Sequence, residues 1–301
     1  MADGQPLGTS EPGALGAAAS PSKQESSSYW SSKSVTGYAP NWFTFCADLI
    51  SKRILGEPGL SPTIETMRRA GKVPARSLLE IGCLNGKKVV NYVNSGLARE
   101  AAGIDYAAEA IRSGKELFGD RIDLHVVDLN NPQPLFRKFD VILANGVMHH
   151  IANFEVCAQW LKDHLAHDGV IIASEYTGPQ RYRYSQHEIA LINRAVTMLP
   201  EELRNVFDPC QLDIKLDADP SESIRSRDIP DVLRATGFSV QATPFGGNVL
   251  QRALSTTFFA NFDANNSAHV HAVERLIAFE DEVLRHEPSH HMHILARHRD
   301  L

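Results

Sequence analysis

The chain has 301 residues, of which 43% are hydrophobic, with a formal net charge of -6 at neutral pH. That is enough apolar material for one large domain or two small ones. The acidic balance and the lack of any long Lys/Arg block argue against a nucleic-acid partner, which calls for a basic face.

Cys46, Cys83, Cys157 and Cys210 stand far apart with no Cys-x-x-Cys pair, a usage that suits a reducing cytoplasm. The first residues show no basic segment followed by an apolar run, as a secretory leader would. No apolar stretch has the length of a bilayer span. A cytoplasmic chain without a membrane partner is the expectation.

Residues 1–28 are mostly Gly, Ala, Ser and Pro. They carry too little apolar surface to offset the entropy cost of ordering, so a disordered tail is expected. From Tyr29 to position 75 the composition turns aromatic and apolar, with Trp30, Tyr38, Trp42, Phe43, Phe45, Leu49 and Ile50 partly at helical spacing. This reads as a helical cover on the remainder of the chain. A sharper reading makes Tyr29, Trp30 and Tyr38 a lid, Tyr29 and Trp30 on a bound cationic cofactor through their ring faces and Tyr38 on its reaction partner.

Ser77-Leu-Leu-Glu80-Ile-Gly82-Cys83-Leu84-Asn-Gly86 reads as a strand, a glycine turn and the start of a helix over Lys87–Leu97. Ala102-Gly-Ile-Asp105-Tyr106 is a second short strand ending in an acid, and Leu124-His-Val-Val-Asp128-Leu129 a third. Three parallel strands would end side by side, with a glycine turn and two carboxylates along one edge, where doubly wound sheets bind nucleosides. Gly82 lets the backbone approach a ligand, Asp105 can accept from a ribose diol, and Asp128 from an adenine amino group. With Leu84 between the glycines, the loop leaves less room for a pyrophosphate than Gly-x-Gly-x-x-Gly does, which disfavours a dehydrogenase.

These segments resemble those of the class I S-adenosylmethionine-dependent methyltransferases, with Leu84 in place of the family's middle glycine. The likeness extends to Phe139–Asn145-Gly146-Val-Met-His149-His150 as the fourth strand and its turn, and to Gly169–Glu175-Tyr176 as the fifth, after a helix from Phe154 to His167. Glu175–Arg181, Asp219–Ser226 and Pro244–Gly247 resemble a bacterial subgroup near polysaccharide and natural-product pathways.

The resemblance implies an α/β, Rossmann-like, doubly wound sheet of seven strands, mostly parallel with an antiparallel last strand. The methyltransferase domain would run over 76–301. Helical insertions near 184–216, after the fifth strand, and near 248–287, between a sixth strand at Phe238–Phe245 and a last one at His290–His298, would lie over the active site. S-adenosylmethionine would be the cofactor and S-adenosylhomocysteine the product. Its contacts would be Glu80, Gly82, Cys83, Asp105, Tyr106, Asp128, Leu129, Asn145 and Gly146, beside the lid.

The acceptor would be a small molecule offering an oxygen, nitrogen or carbon nucleophile, in natural-product biosynthesis or as a sugar or polysaccharide precursor. A positioned base adds about 10²–10⁴-fold when the acceptor must lose a proton. His149 or His150 is the candidate base, with Glu175 as orienting partner. Tyr38, Tyr176, Arg181, Tyr182 and Arg183 are candidates for holding the acceptor.

Each of these has a blander reading: the histidines as helix caps, Glu175 as an ion pair with Arg181 or Arg183, and the Arg/Tyr run as a solvated turn. His291 and His293 share a strand face, but no third ligand has a fixed spacing. Metal-independent chemistry is therefore expected. An apolar face in Phe258–Leu284 offers a possible homodimer surface, and a cofactor-binding protein without turnover is the reading of a different class.

Overall fold

The computed structural model describes residues 40–299 except positions 136, 206 and 208–218. The proposed lid residues Tyr29, Trp30 and Tyr38, the tail over 1–28 and Cys210 lie outside the described residues.

Alternation builds the sheet. In β1 (Ala75–Ile81) and β4 (Phe139–Asn145) successive side chains point to opposite faces, and both faces are apolar, as in a parallel sheet covered on two sides. Leu78, Val141 and Leu143 enter one core with Val89, Val90 and Ile111 of α4 (Lys87–Asn94) and α5 (Ala108–Phe118). Leu79, Ile81, Ile142 and Ala144 enter the other with Phe154, Trp160 and Leu161 of α6 (Phe154–His164) and Leu233 of α8 (Ile229–Ala235).

With β2 (Ala98–Asp105), β3 (Asp123–Val126), β5 (Leu165–Tyr176), β6 (Phe238–Gly246) and β7 (His291–His298), the strand order is β3-β2-β1-β4-β5-β7-β6. β7 lies antiparallel between β5 and β6. The other pairings are parallel. The order reverses between β1 and β4, so their carboxyl ends flank a crevice.

Several boundaries differ from the sequence expectation. α4 ends at Asn94, because Gly96 takes a left-handed φ of 69° and turns the chain into β2. β3 stops at Val126, leaving Asp128 in the following turn, where its carboxylate accepts from Asn130 N at 3.0 Å. α6 stops at His164, whose buried ring accepts from Leu135 N at 2.8 Å, and the strand begins at once at Leu165.

A third core gathers the material over one end of the sheet. α1 (Trp42–Phe45), α2 (Ala47–Leu55), α7 (Gln186–Thr197), α9 (Leu250–Ala253), α10 (Thr256–Asn261) and α11 (Ser267–Val283) pack together there around Phe258 and Leu276. α3 (Pro62–Arg69) instead sends Met67 into the core shared with Leu78. The apolar face of α11, a candidate dimer surface from sequence, is turned inward: Ala272, Leu276 and Val283 are buried within the chain.

Glu280, fully buried on α11, ties this layer to the sheet. It accepts from Arg53 at 2.8 Å and from the backbone N–H groups of Gly247, Val249 and Leu250 at 2.8–3.0 Å. No helix among the described residues is long and apolar enough to cross a membrane.

Candidate active site

The crevice at the reversal point is lined first by the turn after β1. Gly82 has a φ of 67°, and a Cβ there would stand 2.7 Å from Val147 Cγ2, so the position admits only glycine without rearrangement. Leu84, where the resemblance has a glycine, adopts a left-handed φ of 50°. Its N–H donates to Asp105 Oδ2 at 2.8 Å, and Ala107 N donates to Oδ1 at 2.9 Å. Asp105 is thus fixed at the end of β2 by the glycine turn itself. Burial raises its pKa against the pull of these N–H groups.

Glu80 is buried at the end of β1, and among the described residues its Oε2 has no hydrogen-bond partner. Burial raises its pKa to about 7, with Lys88 and a hydrogen bond to Asn145 opposing. Cys83 is also buried, which raises its thiol pKa well above the usual value and leaves it inert. Leu129 is buried, Tyr106, Asp128 and Asn145 are half-buried, and Gly146 is exposed with a φ of 68°.

The second half of the site is built on the turn after β4. Glu175, fully buried at the end of β5, accepts from Val147 N at 3.0 Å and Met148 N at 3.1 Å through Oε1. Its Oε2 lies 2.8 Å from His149 Nδ1. Glu175 therefore binds the turn that carries the histidines, rather than Arg181 or Arg183.

A residue that the sequence reading did not single out closes the other side. Glu222 Oε1 stands 3.3 Å from His149 Nε2 and accepts from Tyr182 Oη at 2.7 Å. Burial alone would lower the pKa of His149. Its hydrogen bonds to Glu175 and Glu222 prevail and raise it to about 9. Its neighbour His150, with Nδ1 3.0 Å from Ser221 Oγ, is held down near 4 by burial and by the charge of His149. Ligand-type atoms of His149, His150 and Glu222 all fall within 4.8 Å of one another.

Glu222 is delivered by the segment 219–226. Ile224 N donates to His149 O at 3.0 Å, and Arg225 clamps the segment onto α6 through Glu155 at 2.8 Å. The signal was present, since Asp219–Ser226 stands out in the sequence, but nothing there says which strand end it meets.

Tyr176 and Tyr182 are buried against each other with ring centroids 5.2 Å apart. Tyr182 and Arg181 both have left-handed backbone angles, a strain that aims the phenol at Glu222. Arg181 donates to the backbone oxygens of Pro220 and Glu222, and Arg183 is exposed. His291 and His293 do not form a ligand pair. His293 is held by Thr66 and Ser174 at 2.9 and 3.0 Å, while His291 Nδ1 faces Gly246 O at 3.3 Å.

A family model described as a methyltransferase domain matches residues 42–242. The chain belongs to this methyltransferase family. No curated protein sequence matches it. Among solved structures, the methyltransferase is similar to the plantazolicin methyltransferase BamL in complex with a triazolic desmethylPZN analog and SAH. That likeness has 16% identity and a TM-score of 0.44, over 92% of this chain and 98% of the other. A phosphoethanolamine N-methyltransferase 2 of Haemonchus contortus, in complex with phosphomonomethylethanolamine and S-adenosylhomocysteine, shows 16% identity and a TM-score of 0.47. It is matched over 85% of this chain and 58% of its own. The DhpI–SAH complex shows 14% identity and a TM-score of 0.44, over 92% and 96%.

S-adenosylmethionine is the cofactor of the methyltransferase, and the crevice fits it. The unpartnered Glu80 Oε2 offers a buried acceptor for an ammonium group. The turn at Gly82 leaves no room for a side chain.

Proposed function

We propose that this methyltransferase transfers the methyl group to an oxygen, nitrogen or carbon nucleophile of a small molecule in natural-product biosynthesis. The acceptor would sit at the ends of β4 and β5. The observation that carries the reading is His149, buried beside the cofactor crevice with Glu175 on one ring nitrogen and Glu222 on the other.

Bound S-adenosylmethionine supplies an activated methyl group on a sulfonium. Glu80, Gly82, Cys83, Asp105, Tyr106, Asp128, Leu129, Asn145 and Gly146 are the chain's contacts to it in this reading. Holding acceptor and donor in line is worth about 7–11 kcal/mol of the barrier. His149 acts as base through Nε2, which faces Glu222 at 3.3 Å, in the neutral form that donates Nδ1–H to Glu175. Two carboxylates stabilise the imidazolium that results. His150, neutral at physiological pH, borders the same space, and Tyr176 forms its wall.

The test is a screen of the purified enzyme for S-adenosylhomocysteine release over phenols, indoles, organic acids and sugars. His149→Ala should lower turnover about 10²–10⁴-fold while cofactor binding persists. Turnover confined to sugars would move the reading to a polysaccharide precursor. Full activity of His149→Ala would remove the base assignment.

A further inference from the structure

Among the described residues, Arg252 is a cation without a carboxylate partner. Two other guanidinium groups placed between elements are matched by carboxylates, Arg53 with Glu280 and Asp281, and Arg225 with Glu155 and Asp228. Arg252, on α9, instead lies 4.4 Å over the ring of Tyr182 and 5.5 Å over that of Tyr184, and its Nε donates to Tyr184 Oη at 3.0 Å. Among the described residues, its Nη2 is buried and has no hydrogen-bond partner.

Aromatic faces offset part of the cost of such a charge. They do not satisfy the donor edge of the fork, which matches the two oxygens of a carboxylate or phosphate. His290 stands beside it, its ring 5.7 Å from that of Tyr184. Its Nδ1 is likewise buried and unpartnered, while Nε2 faces Glu188 at 3.2 Å. When protonated, His290 adds a second donor.

We infer that Arg252, supported by Tyr182 and Tyr184 and flanked by His290, holds an oxyanion of the acceptor, so that the acceptors are small anionic molecules. The inference rests on the reading of His149 as the acceptor's base. Tyr182 links the two places, because its ring carries the guanidinium while its hydroxyl donates to Glu222, the neighbour of His149 Nε2. The anionic group would be held one tyrosine ring away from the reacting end. A neutral analogue leaves a fixed cation unpaired, which is a strong ground for rejection. The clamp expected from sequence at Arg181 and Arg183 thus falls to a residue far along the chain.

The test is calorimetry on the full chain saturated with S-adenosylhomocysteine, titrated with inorganic phosphate, with benzoate and with neutral benzamide. Wild type should bind at least one of the anions at one site and should not bind benzamide. Phosphate alone points to phosphate monoesters, and benzoate alone to organic acids. Arg252→Gln should weaken the anion at least tenfold with cofactor affinity kept. Arg252→Lys, which keeps the charge but not the fork, should weaken it several-fold and decides the matter if the glutamine variant fails to fold. No anion binding by wild type, or undiminished binding by Arg252→Lys and Arg252→Gln, would overturn the inference. His149→Ala should bind the anion normally, so failure of the base assignment would leave this result standing.

Discussion

In the proposed site, Glu80 would make cofactor binding a pH-dependent event. Its pKa near 7 in the free protein reflects burial without a full set of partners. An ammonium group arriving at Oε2 favours the carboxylate, so binding lowers that pKa and releases a proton. Affinity for S-adenosylhomocysteine should therefore rise as pH increases through about 7. Calorimetry in buffers of different ionisation heat should show proton release near neutrality, and Glu80→Gln should abolish it. A proton-neutral wild type would place the ammonium elsewhere.

As the proposed base, His149 would link pH to both rate and stability, with opposite signs. A folded pKa near 9 exceeds the ordinary 6.5. Its stabilisation is fully present below 6.5 and is lost as pH rises through 9. A base must be unprotonated, so turnover should climb across the same interval while thermal stability declines. A rate profile flat between pH 6 and 9 would show that the ring does not accept the proton. If the chemistry is metal-independent, as expected from sequence, prolonged chelation should leave turnover unchanged. Loss of activity restored by added zinc would instead make His149, His150 and Glu222 a cation site.

Among the elements, the join between α11 and the turn after β6 is the one most exposed to a single change. Glu280→Ala would leave Arg53 without one of its carboxylates and three buried N–H groups without an acceptor. Removing one partner of such a buried pair costs about 3–5 kcal/mol. Urea unfolding of the variant should show a loss of that size, and a change below about 1 kcal/mol would mean that water replaces the carboxylate.

The elements around β1, β2 and β4 were legible because each has a short, mostly apolar run ending in Gly, Asp or Asn. The end of α6 was not, because the stop is made by His164 reaching Leu135, a contact between distant parts of the chain. The inward face of α11 was equally hidden. An apolar stripe looks the same in sequence whether it meets another helix or another molecule.

At the scale of the whole molecule, the placement of candidate residues carried by neighbouring strands was readable, and that of residues arriving from later segments was not. Glu80, Asp105, His149 and Glu175 stand at strand ends, and strand order follows from the resemblance. Glu222 and Arg252 arrive from later segments, one clamped by Arg225 onto α6 and the other carried on a short helix above β6. Arg181 illustrates the reverse error: it lies beside the site in sequence but donates to backbone carbonyls in space.

The close approach of Gly82 to Val147 has a further consequence. Val147 presses on the turn that meets the cofactor, and its own N–H is held by the carboxylate that also grips His149. In the proposed site the two binding events would share this turn, so that a shift made by one ligand would be felt by the other. If S-adenosylhomocysteine tightens an acceptor by some factor, the acceptor must tighten S-adenosylhomocysteine by the same factor. Donor and acceptor would then load as a cooperative pair, and Gly82→Ala, which pushes the turn from one side, should weaken both.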